Sequence, residues 1–234
     1  MTKFALAMVF AIGLFYLAVC EKDDNVQNST PGGVDITTMA TPNGERLKPA
    51  EFGPIRSALG EPEVDTSAFR LTVRGLVEKP FSLTWEEIKI WYSVTTDTML
   101  MYCVEGWEVW GQWKGIKVKD LLNNASPAKT ATHVLFRTVD GYSTSIPLTY
   151  IDKYDPILAY EVNGKPLQQH DGFPLRLVVF GLFGYKWAKW VNDIELIDKA
   201  TLGYWEKRGY SDQAIVPLER RQYYEGKDAE KVTF

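Results

Sequence analysis

Residues Phe4 to Cys20 form an uncharged, apolar run of 17 residues, preceded by the cation Lys3 and followed by Glu21, Asp23 and Asp24. No other feature restricts the fold as much, because such a run is withdrawn from the globular part of the chain. It reads as an export signal or a short membrane anchor, with the remaining chain outside the cytoplasm by the positive-inside rule. As a helix it would reach about 26 Å at 1.5 Å per residue, marginal for spanning a bilayer. A buried core helix is the weaker reading, since polar chain follows at once. That polar stretch runs from Glu21 to about residue 65 and carries Pro31, Pro42, Pro49, Pro54 and Pro62 without a sustained period of 2 or 3.6. It is expected to be a linker, laid over the surface or left mobile. One folded domain is then expected over residues 66–234, including a C-terminal extension.

Leu17-Ala18-Val19-Cys20 is similar to a bacterial lipoprotein cleavage box, with Val19 where a smaller residue is usual. Lipidation of Cys20, an uncleaved anchor and a cleaved signal therefore stay open. The 26 Lys and Arg against 30 Asp and Glu exclude a nucleic-acid footprint, and 45% hydrophobic residues exclude a disordered chain. Cys20 and Cys103 are too few for a disulfide framework, and no C-x-x-C is present to hold zinc or a covalent haem. With only His133 and His170, a metal site must take most of its ligands from elsewhere.

The folded part reads as α+β, mixed β-sheets with short helices. Phe69, Leu71 and Val73 alternate with polar residues up to Gly75, a half-buried strand. Thr84-Trp85-Glu86-Glu87 is a capping box that opens a helix through Trp91, and Val118 to Leu122 makes a second short helix. His133 to Val139 and Tyr142 to Ile146 flank the tight turn Asp140-Gly141. Ile157 to Val162 runs into Asn163-Gly164, while Leu175 to Val179 and Val191 to Ile197 are apolar strands. The absence of a regular βαβ alternation points away from a parallel α/β fold.

Two places could carry chemistry. Cys103 sits in Met101-Tyr102-Cys103-Val104-Glu105-Gly106-Trp107, where a strand-like stretch meets a glycine and the tryptophans 107, 110 and 113. It is either an inert core thiol or a thiolate held deprotonated and shielded from oxidation by a metal. The second place is Arg176 to Trp190, in which an apolar strand ends in Gly181 and Gly184 with Arg176, Lys186 and Lys189 around them. That pattern suits either a glycine turn with solvated lysines or a phosphate cradle of backbone N–H groups and cations.

Cys103 to Trp107 followed by Gly111 to Leu122, then Asp140 to Pro147, Leu158 to Leu167, Gly172 to Val179, Gly184 to Trp190 and Gly203 to Glu206, resembles the sulfite oxidase family of molybdopterin oxidoreductases in order and spacing. The resemblance covers about Phe69 to Tyr210. It implies a sulfite oxidase-like molybdopterin-binding fold and a mononuclear molybdenum held by the dithiolene of one pyranopterin and by Cys103. It also implies phosphate contacts from Arg176, Lys186 and Lys189 with the intervening backbone, Gly181, Gly184 and Tyr185 included. Tyr142 matches a tyrosine near the metal's oxo group, and His170 could reach the cofactor, whereas His133 reads as structural.

The implied function is an exported, membrane-tethered oxidoreductase that transfers an oxygen atom to or from a small, sulfite- or sulfoxide-like substrate. Met101 and Tyr102 stand where sulfite-active relatives commonly carry arginine, and Arg137 is the one arginine near Tyr142 in sequence, which weakens the case for sulfite. Without a haem or flavin motif, electrons are expected to pass to a separate partner, a cytochrome or a quinone-linked membrane subunit. The rival readings are a tethered binding module with a decayed site and an enzyme with a Cys103 nucleophile activated by His133 or His170.

Overall fold

The computed structural model describes residues 57–225. The run Phe4–Cys20, with the expected lipidation or anchoring at Cys20, the expected linker as far as Arg56 and residues 226–234 lie outside the described residues. No helix among the described residues is long and apolar enough to cross a membrane.

Two sheets share one core. The first holds β1 (Arg70–Gly75), β2 (Phe81–Thr84), β5 (His133–Thr138), β6 (Ser143–Pro147) and β10 (Val191–Ile197) in the order β2-β1-β10-β5-β6. Only β1 and β10 are parallel within it. The second holds β3 (Val94–Tyr102), β4 (Glu108–Lys117), β7 (Ile157–Val162) and β8 (Lys165–Pro166) in that order, with β9 (Arg176–Val178) paired to β7. Helices are short: α1 (Trp85–Trp91), α2 (Val118–Ala125), α3 (Leu148–Tyr154) and α4 (Leu218–Glu225). The α+β reading holds.

Local chemistry explains most boundaries. At α1, Thr84 Oγ1 accepts from the Glu87 N–H while the Glu87 carboxylate accepts from the Thr84 N–H, so both exposed donors of the first turn are satisfied. Asp155, at φ 48°, ends α3, and Asn163 at φ 51° with Gly164 at φ 73° turns β7 into β8. Gly115 has a different reason. A Cβ there would overlap the Leu158 backbone, so only glycine lets β4 lie against β7 where their register shifts.

The core is continuous between the sheets. Leu71 and Val73 of β1, Phe136 of β5 and Leu196 of β10 are fully buried in one cluster with Trp113 of β4, Leu158 of β7 and Leu177 of β9. Ser57 to Asp65, the end of the expected linker, lies along this unit, where the Gln169 amide donates to the Pro62 carbonyl at 2.5 Å. Arg137 projects from β5 to Asp193 at 3.2 Å and to Glu195, which also engage Arg74, on the partly exposed face of the first sheet.

Candidate functional site

A cleft of about 610 Å³ opens where the β3–β4 turn, the β5–β6 turn, the segment after β9 and the residues beyond β10 converge. That is within the range of about 300–1,000 Å³ typical of ligand and cofactor sites. Met101, Cys103 and Trp107 come from the first of these, Asp140 and Tyr142 from the second, Gly184, Tyr185 and Lys189 from the third, and Tyr204, Trp205 and Tyr210 from the fourth. Arg176 enters from β9 itself.

Cys103 sits at the mouth of the β3–β4 hairpin, where its N–H donates to the Trp107 carbonyl at 2.9 Å and its carbonyl accepts from the Gly106 N–H at 3.2 Å. Gly106 at φ 96° closes the turn. The half-buried Sγ accepts from the Glu105 N–H at 3.4 Å.

Across the cleft, Arg176 is 3% exposed. It donates to the Asp171 carbonyl at 2.8 Å, lies 3.1 Å from the Met101 thioether and stands 5.7 Å from the centre of the Trp113 ring. Burial pushes this arginine down to about 10, opposed by Asp171. Lys189 donates to the His170 carbonyl at 2.7 Å and is pushed down to about 8, first by burial and then by the Arg176 charge. Gly172, at φ 111°, lies between them; a Cβ there would come within 3.1 Å of the Lys189 Cβ and 3.2 Å of the Arg176 Cβ. Burial also raises the Asp171 carboxyl, against the charges of His170, Arg176 and Lys189.

Tyr142 is 9% exposed, and its hydroxyl donates to the Tyr185 carbonyl at 2.5 Å. Burial, then the nearby Glu206 carboxylate, pushes the phenol far above its ordinary value, so it stays protonated. Burial likewise raises Tyr185, whose hydroxyl donates to the Ser211 carbonyl at 2.7 Å.

Cys103, Tyr142, Arg176, Gly184, Tyr185 and Lys189 therefore share one cleft, as the sequence suggests. Lys186 does not line it. The 3₁₀ turn Gly184–Lys186 sends that side chain to the other side, where it is 1% exposed and donates to Glu206 at 2.6 Å and to the Ser145 carbonyl at 3.1 Å. Its ammonium, expected at a phosphate, is engaged in an internal ion pair. Gly181 is likewise outside the lining; at φ 65° it presents its carbonyl to the Val216 N–H at 3.0 Å. His170 reaches the cleft through its carbonyl on Lys189, its imidazole lying 3.5 Å from the Asp171 carboxylate. His133 lines a separate, smaller depression.

Sequence reasoning missed Met101, Trp107, Asp140, Asp171, Trp187, Trp190, Tyr204, Trp205 and Tyr210 as wall residues. The only signal was an aromatic content of 13%, concentrated beside glycines and cations. Among the described residues no three His, Cys, Asp or Glu side chains converge to hold a metal. One thiol, a buried arginine and a half-buried lysine that repel each other and an aromatic wall fit a metal whose other ligands and whose anionic phosphate belong to an organic cofactor.

A family model described as the oxidoreductase molybdopterin binding domain matches residues 58–205. The uncharacterized oxidoreductase YuiH of Bacillus subtilis is 34% identical over 149 residues, 62% of this chain and 74% of that protein. A putative protein-methionine-sulfoxide reductase subunit, YedZ1, of Azospira oryzae is 32% identical over 64% of this chain and 56% of its own length. Human mitochondrial sulfite oxidase is 33% identical over 42% of this chain and only 20% of its own length. The solved sulfane dehydrogenase SoxCD from Paracoccus pantotrophus shares the fold, with a TM-score of 0.59 and 23% identity, over 81% of this chain and 52% of that one.

Proposed function

Because this chain belongs to the family of oxidoreductases with a molybdopterin-binding domain, we propose that it reduces a neutral sulfoxide-like substrate by oxygen-atom removal outside the cytoplasm. It is a molybdenum-dependent oxidoreductase of the sulfite oxidase type with a molybdenum–molybdopterin cofactor. When bound, that cofactor carries the two-electron redox chemistry.

The observation that carries the choice of substrate is the charge of the wall. Among the described residues that line the cleft, Arg176 and Lys189 are the only cations, against the carboxylates Glu105, Asp140 and Asp171. Both cations suit the cofactor's phosphate, which leaves none among the described lining residues for an incoming oxyanion. The rest of the wall near Cys103 is aromatic, and a neutral sulfoxide enters such a cleft without the desolvation penalty of a sulfite dianion. Cys103 would supply the protein thiolate. Tyr142 would present an un-ionised hydroxyl, exchanging its bond to Tyr185 for one to the substrate oxygen. The balance is a sulfoxide plus two electrons and two protons giving a thioether and water, with the sulfur–oxygen bond broken and the sulfur reduced. The name of the Azospira oryzae relative agrees with a sulfoxide substrate.

The remaining parts of the reading rest on the sequence. The run Phe4–Cys20 would export and tether the domain, and electrons would arrive from a separate partner, a cytochrome or a quinone-linked membrane subunit.

The test is steady-state turnover of purified protein checked for molybdenum and pterin. With a reduced viologen dye, methionine sulfoxide or dimethyl sulfoxide is expected to be consumed with a kcat/KM at least about tenfold above that for sulfite with an artificial acceptor, ~1.4 kcal/mol of discrimination. Preference for sulfite would overturn the substrate assignment. A folded sample free of molybdenum and pterin would overturn the whole reading.

A further inference from the structure

The family match ends at residue 205, yet the chain continues in ordered form to Glu225. The added segment packs under the Cys103 loop. Val216 is fully buried with Leu100 and Tyr102 in a small second cluster, against Trp110 and Phe183. Its N–H donates to the Gly181 carbonyl at 3.0 Å, and Ile215 bridges to Leu182. Arg221, 1% exposed, donates through Nε to the Val216 carbonyl at 3.1 Å and ties α4 to this anchor.

The neighbouring residue then reaches the hairpin mouth. Arg220 Nε donates to Glu108 Oε1 at 2.6 Å, and its Nη2 contacts the same carboxylate. Nη1 and Nη2 each lie 3.3 Å from the Cys103 carbonyl oxygen. The guanidinium is 5.7 Å from the centre of the Tyr102 ring and 5.8 Å from that of Phe183, with the side chain only 23% exposed. One planar fork thus bridges the residue that opens the turn and the first residue of β4 that closes it.

We infer that Arg220 is a positioning residue for Cys103, and that the segment beyond the family domain exists in part to deliver it. The Cys103 N–H is held by Trp107 and its carbonyl by Gly106 and Arg220, so the peptide is fixed on both sides and the direction of the Cα–Cβ bond is set. A ligand atom must be held within fractions of an ångström, and a five-donor planar cation grips a carbonyl and a carboxylate together as a lysine cannot. The inference rests on Cys103 being the metal's protein ligand, as proposed above.

The test uses purified holoenzyme, three single variants and one double variant. Arg220→Gln is expected to retain molybdenum within about twofold of the unsubstituted protein, to alter the electron paramagnetic resonance spectrum of Mo(V), and to lower kcat about tenfold at unchanged KM. Glu108→Gln, which loosens the same fork, is expected to shift the spectrum in the same direction, and the double variant to be non-additive. An unaltered spectrum in Arg220→Gln, even with a lowered melting temperature, overturns the inference. If Arg220→Gln does not fold, Glu108→Gln decides alone: the unsubstituted spectrum overturns the inference and a shifted one supports it. Cys103→Ser separates the two levels. A spectrum unchanged by Cys103→Ser removes the ligand assignment itself, whereas one altered by Cys103→Ser but not by Arg220→Gln removes only the role of the arginine.

Discussion

Two cations in a desolvated wall repel each other, and Arg176 with Lys189 shows what that repulsion asks of a ligand. Lys189 falls to about 8, by burial first and Arg176 second, against 10.5 for a free lysine. Between those values the unfolded chain binds more protons than the folded one, so cofactor-free protein gains stability as pH rises through this window. The penalty is fully present below about pH 8 and vanishes near pH 10.5; it is on the order of 3 kcal/mol. An anion in the cleft restores the favourable charge. Sulfate, whose own charge is constant over this range, is therefore expected to raise the melting temperature of cofactor-free protein more at pH 7 than at pH 9.5. Lys189→Gln should flatten that difference, and equal sulfate shifts at both pH values would refute the coupling. Cys103, Arg176 and Lys189 were legible in the sequence because thiols and cations beside glycines are rare and chemically marked. Lys186 was misleading because sequence spacing does not reveal which way a 3₁₀ turn aims consecutive side chains.

At the scale of elements, the Lys186–Glu206 pair holds the aromatic wall in place. Lys186 on the turn after β9 donates to Glu206 beyond β10, while Thr144 of β6 donates to the same Oε1 at 2.8 Å. Three segments meet at one carboxylate, whose residue is 5% exposed and adjoins Tyr204 and Trp205 in the chain. Removing one partner of such a buried pair strands the other charge at about 3–5 kcal/mol, whereas replacing both with apolar residues is often near neutral. Lys186→Met should therefore destabilise by about that amount in denaturant unfolding, and Lys186→Met with Glu206→Leu should recover most of it. Additive losses would show the pair to be independent. The elements themselves were unevenly legible. The capping box at Thr84, β7 and β10 announce themselves by cap chemistry and apolar runs bounded by turns. Most of β3 and β4 did not. Gly111 and Gly115 give no strand pattern, and β4 needs them because it passes against Val162 and the Leu158 backbone. Helix α4, polar and lying past the recognisable motifs, carries no periodic signal at all.

For the whole molecule, the cleft is a seam. Arg176 belongs to the second sheet and Cys103 to the turn between two of its strands, Asp140 and Tyr142 to the turn at the edge of the first, and Tyr204 to Tyr210 to chain that has left both. The core beneath is shared, with Leu71, Phe136, Trp113 and Leu177 at zero exposure. A cofactor bound in the seam would touch all of these parts at once, and it would stabilise by mass action only the state in which they are together. Stripping it should thus lower the melting temperature and raise amide hydrogen exchange locally, at residues 103–107, 140–142 and 201–210. Exchange in β5 and β10, each with neighbours on both sides, should stay within about twofold of the loaded protein. Uniform acceleration across both sheets would mean that the cofactor is part of the core rather than a clasp over it, and the seam would then be misidentified.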